Sequence, residues 1–67
     1  MSKNFIRERL EILSRIVEIN SIIADRLADA IENMCHWTTE EIKSNNELIE
    51  SLQDERRELR KLYRSYR

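Results

Sequence analysis

From residue 5 onward, apolar side chains recur in a helical rhythm. Ile6, Leu10, Leu13, Val17, Asn20, Ala24, Leu27, Ile31 and Met34 follow one another in steps of four and three. That alternation is the a/d seam of a heptad repeat, with one polar residue at its middle. A second row runs beside it through Phe5, Ile12, Ile16, Ile19, Ile23 and Ala30. At about 100° per residue the two rows cover roughly 160° of a helix surface. This is wider than a two-stranded seam needs and suits the core of a bundle.

The rhythm stops at Cys35-His36-Trp37-Thr38-Thr39-Glu40-Glu41. Thr38 and Glu41 have the spacing of a capping box, in which each side chain serves the other's backbone amide. Trp37 and Ile42 occupy the two positions of a hydrophobic staple around that cap. Ser44 with Glu47 offers a second, weaker start. A narrower stripe then follows through Ile42, Asn45, Ile49, Leu52, Arg56, Leu59, Tyr63 and Tyr66, with Leu48 and Leu62 beside it.

The pattern predicts an all-α single domain over 1–67. Helix 1 spans about 5–35, a loop about 36–38, and helix 2 about 39–66. Two helices joined by so short a loop pack as an antiparallel hairpin. The alternative is one long helix in a coiled-coil dimer, because the first seam extended through the gap lands on Asn45, Leu48, Leu52, Leu59, Leu62 and Tyr66.

Composition sharpens this picture. The chain has no Gly, no Pro, one Cys and one His among 67 residues. Sheets and tight turns draw on Gly and Pro, so a helical class is favoured. A domain this small buries only about 60% of its unfolded surface and needs a staple. Lone Cys35 and lone His36 supply neither an internal disulfide nor a four-ligand zinc site, so no metal or cofactor is expected. Oligomerisation is the remaining route. No apolar run reaches the 18 or so residues of a membrane span, and Met1 to Phe5 lacks the apolar segment of a signal peptide. The expectation is a cytoplasmic protein with no membrane partner, which a single free thiol weakly supports.

Charge is segregated. Residues 1–17 and 56–67 hold ten bases and three acids, a net of +7; residues 18–55 hold two bases and ten acids, a net of −8. The total of −1 hides this. In a hairpin the bases gather at the open end and the acids at the loop end. Helix 2 then has its acids and bases where the helix dipole favours them, and helix 1 has them reversed. A second hairpin laid antiparallel sets each acidic end beside a basic end. The predicted assembly is therefore a homodimeric antiparallel four-helix bundle. Its predicted oligomer core is Leu10, Leu13, Ile16, Val17, Ile19, Asn20, Ile23, Leu27, Ile31 and Met34 from helix 1. Ile42, Asn45, Ile49, Leu52, Leu59 and Tyr63 join from helix 2. Asn20, Asn45 and Arg56 are polar interruptions of the seams that fix register. Ile22 alone lies on the polar face of helix 1.

Candidate chemistry is sparse. Cys35-His36-Trp37 points two ligands in different directions and reads as a loop whose Trp37 plugs the core. No nucleophile stands with a positioned base and acid. Arg56, Arg57, Arg60, Lys61, Tyr63, Arg64, Tyr66 and Arg67 interleave bases with aromatics and are candidate contacts for an anionic partner. In a hairpin Tyr66 also falls close to Phe5, as an aromatic plug.

Two resemblances follow. In architecture the chain is similar to the Rop family of plasmid copy-number proteins, whose hairpins form antiparallel four-helix bundles and bind RNA. The short matches Phe5-Ile6-Arg7 and Glu50-Ser51-Leu52 do not fall in one register with that family. The run Leu13 to Ile31, with Arg15 and Arg26, resembles the first helix of the all-helical chorismate mutases. Those enzymes add a third helix and a lysine with no counterpart here. The reading is a small non-enzymatic regulatory or assembly protein that binds another protein, in the manner of phage inhibitors, secretion co-chaperones or adaptor subunits. The alternative is a Rop-like RNA- or DNA-binding regulator that uses the basic pole.

Overall fold

The computed structural model describes residues 2–66, with side chains from Phe5 to Tyr66. Helix α1 runs Ser2–Asn33, a single 3₁₀ turn covers Met34–His36, and helix α2 runs Thr39–Ser65. The two helices form an antiparallel hairpin 53 Å long and 16 × 11 Å across. Arg67 lies outside the described residues.

The turn is built by local chemistry. Trp37 is extended at φ −88°, ψ 150°, and its N–H donates to the Met34 carbonyl at 3.1 Å. Helical geometry cannot continue through that residue. Thr38 Oγ1 then accepts from the Glu41 N–H at 3.1 Å, and Glu41 Oε1 accepts from the Thr38 N–H at 3.0 Å. This is the reciprocal capping box that the Thr38/Glu41 spacing predicts. It overrules the single-rod alternative: the seam's phase is nearly continuous across the gap, but extended Trp37 and the cap at Thr38 turn the chain back. Helix α1 stops at Asn33, slightly before the seam's last residues, because Met34–His36 tighten into the 3₁₀ turn.

The core is thin and comes from one of the two rows on α1. Ile12, Ile16, Ile19 and Ile23 of α1 and Asn45, Ile49 and Leu52 of α2 are buried, and Ile19, Ile23, Ile49 and Leu52 form one packed cluster. Among the described residues only Ile19 is fully enclosed, at 0% exposure. Leu59 packs against this cluster, and so does Ile22, which is half-buried rather than out on the polar face. The interhelical crowding of α1 reaches farther round than the apolar row alone indicates.

The open end closes on aromatics. Phe5 and Tyr66 rings lie 5.5 Å apart at 44°. The Arg9 guanidinium sits 4.7 Å from the Tyr63 ring centroid and donates to the Tyr63 hydroxyl at 3.1 Å. Such a cation over an aromatic face contributes about 0.5–1 kcal/mol where partly exposed.

Truncating Ile19 to Ala should lower stability by about 2–5 kcal/mol, since the enclosed site cannot collapse fully. Thr38→Ala should lower it by about 1 kcal/mol through the lost cap. Urea denaturation followed by circular dichroism ranks the two, and a larger loss at Thr38 contradicts this description of the core.

Candidate protein-binding face

Burial splits the predicted oligomer core into two groups. Ile16, Ile19, Ile23, Asn45, Ile49 and Leu52 are spent inside the hairpin, with Ile42, Leu59 and Tyr63 half-buried at its margins. Leu10, Leu13, Val17, Asn20, Leu27, Ile31 and Met34 remain exposed. Exposure reaches 60% at Leu10, 66% at Val17 and 84% at Ile31. With Ile6 and Ala24, also exposed, these residues are the a/d seam itself. The seam sits roughly 90° around α1 from the row that meets α2, at about 100° per residue. It forms a continuous apolar stripe about 42 Å long, from Ile6 to Met34.

Polar contacts hold this geometry. Arg56 Nη1 donates to Asn20 Oδ1 at 2.6 Å, so the polar residue in the middle of the seam is tied to the polar interruption of α2. Asn45 is buried at 7% exposure, and its Oδ1 accepts no hydrogen bond. On the opposite edge of the hairpin, Arg15 Nε and Nη2 donate to the two carboxylate oxygens of Glu55 at 2.7 and 3.0 Å. Arg15 Nη1 also donates to Glu18 at 2.8 Å. The hydrogen bonds from Arg15 hold the Glu55 carboxyl below its ordinary value. The Tyr66 phenol is pushed above its ordinary value by its interaction with Glu8 and by burial.

The edge of α2 beside the stripe is basic. Arg56, Arg57, Arg60, Lys61 and Arg64 line a shallow hollow together with Gln53. Arg57 pairs with Asp54 at 3.3 Å and Lys61 with Glu58 at 3.4 Å. Among the described residues, Arg60 and Arg64 form no ion pair. Tyr63 and Tyr66, two of the candidate anion contacts, are both half-buried, Tyr63 under Arg9 and Tyr66 against Phe5. The other exposed leucines, Leu48 and Leu62, are separate from the stripe. Leu48 shares a hollow with Arg26 and Trp37, and Leu62 shares one with Glu8 and Tyr66.

Among the described residues no three His, Cys, Asp or Glu side chains converge on a point that could hold a metal ion. No described helix is long and apolar enough to cross a membrane. No family model, curated protein or solved structure matches the chain. What the seam spacing did not reveal is which of the two rows α2 would take. The buried stretch of the inner row is uniformly isoleucine, at Ile12, Ile16, Ile19 and Ile23, whereas the stripe mixes Ile, Leu, Val, Ala, Met and Asn.

A carboxylate whose folded pKa is depressed stabilises the fold above its unfolded value and loses that contribution as pH falls through the folded one. Acidification below about pH 4.5 should therefore weaken the hairpin partly through Glu55. In Glu55→Gln that share of the acid-limb slope should vanish, as read from urea midpoints between neutral pH and pH 3. An unchanged slope contradicts the pairing.

Proposed function

We propose that this chain is a small non-enzymatic regulatory or assembly protein that acts by binding another protein through a helical-bundle surface. In this reading two hairpins close on one another as a homodimeric four-helix bundle. The observation that carries it is the exposed stripe on α1. Soluble monomers rarely expose contiguous apolar patches beyond a few hundred Å², and larger ones mark interaction surfaces. The heptad spacing of the stripe suits another helix laid alongside it. A hairpin with so few enclosed side chains also gains from any partner that covers this face.

Light scattering on a sizing column tests the reading. The 8.2 kDa chain should run at about twice that mass. Val17→Glu, which places a charge in mid-stripe while leaving the inner row intact, should shift it to a single-chain mass with α-helix retained. A wild-type chain that stays single at every concentration contradicts the homodimer.

A second reading, as an RNA- or DNA-binding regulator, rests on the ladder of Arg57, Arg60 and Arg64 on the outer surface of α2. Gel shifts at low salt test it. Binding that falls steeply with added salt and is lost in Arg60→Ala/Arg64→Ala supports it, and no shift removes it.

A further inference from the structure

The stripe specifies an arrangement as well as an occupant. We infer that a second copy of the chain lies antiparallel on it, α1 against α1, with the two-fold axis crossing near Asn20 and Ala24 and both α2 helices outside. This rests on the reading of the stripe as a bundle interface and adds its direction.

Three observations lead there. The first is where the apolar surface lies. Apart from Met34 in the turn, the stripe belongs to α1, and the neighbouring edge of α2 carries Gln53, Arg56 and Arg60, so the surface best matched to one α1 stripe is another. The second is where charge lies along it. The half of the stripe that includes Ile6, Leu10 and Leu13 lies at the basic open end. On α1 the hollow beside Ile6 and Leu10 is balanced, with Arg7 and Arg15 against Glu11 and Glu18; the excess of base comes from Arg9, which with Tyr63 shares a hollow with all three side chains. Arg56 reaches across from α2 at Asn20. Beside the half from Ala24 to Met34, helical spacing places Asp25 and Glu32, whereas Arg26 and Asp29 lie in the hollow with Trp37 and Leu48 on the other edge. In a parallel pair, two basic halves would face each other and two acidic halves would do the same. An antiparallel pair opposes unlike charge at both ends. Each surface pair is worth only about 0–1 kcal/mol, but the difference between the two arrangements counts attraction and repulsion together.

The third observation is the seam's own centre. Asn20 is the fifth of its nine positions, with small Ala24 next. An axis here overlaps the stripes along nearly their full length. Ala24 lets the helices approach closely, and an Asn in a seam penalises registers that bury it without a polar partner. Arg56, already bonded to Asn20, supplies that partner from within each hairpin.

The test uses the native thiol. Cys35 is exposed and lies beyond the loop end of the stripe, so a nitroxide can be attached to the full unmodified chain. It is 11–15 residues from the axis. At 1.5 Å per residue, the antiparallel arrangement sets the two labels about 33–45 Å apart. A parallel arrangement brings them within about 20 Å. Pulsed dipolar spectroscopy reads the distance, and light scattering on the same sample reads the mass. A dimer with the long distance supports the inference. A dimer with the short distance overturns the antiparallel arrangement and leaves the stripe as the interface. A single-chain mass with no dipolar modulation overturns both.

Discussion

A helix that carries two apolar rows a quarter-turn apart cannot bury both against one neighbouring helix. The rest of this structure depends on that constraint. Helix α2 covers the row of Ile12, Ile16, Ile19 and Ile23 and leaves the heptad seam from Ile6 to Met34 facing outward. The hairpin is closed by Ile19, Ile49 and Leu52, by the Asn20–Arg56 bond, and by the Arg15–Glu55 pair, but this core is one helix face thick. A partner on α1 would convert the same sequence from a thin two-helix layer into a bundle with a second apolar layer.

The polar devices fit that division of labour. Arg15–Glu55 lies on the edge away from the stripe and fixes the hairpin's own register. Asn20–Arg56 lies at the junction between the inner core and the stripe, where it satisfies a polar side chain that any covering helix would desolvate. The charge layout, unfavourable to the dipole of α1 within one chain, is favourable once an opposite pole lies alongside. A cost borne inside the hairpin and relieved between hairpins is what orientation-specific association requires.

Most of the fold was legible from sequence because it rests on short-range rules. The Thr38–Glu41 box set the start of α2, and the stripe periods set both helices. The Phe5–Tyr66 contact followed from the antiparallel register. Less legible was how one face is shared out. Periodicity gives the direction of a side chain from the helix axis and says nothing about which neighbour arrives there. Both rows of α1 therefore read as one wide core, and Ile22 read as exposed. Tyr63 was expected in the core, but its partner Arg9 was hidden, because the two lie 54 residues apart in the chain.

The central claim is that the outward seam of α1 is closed by a second chain and that folding and association are coupled. The concentration dependence of the thermal midpoint tests this most directly. A protein stabilised by its own association melts at higher temperature as it is concentrated. Over a hundredfold range the account predicts a steady rise in Tm that follows the total chain concentration. A sharp, cooperative unfolding transition at the same temperature across that whole range would contradict it.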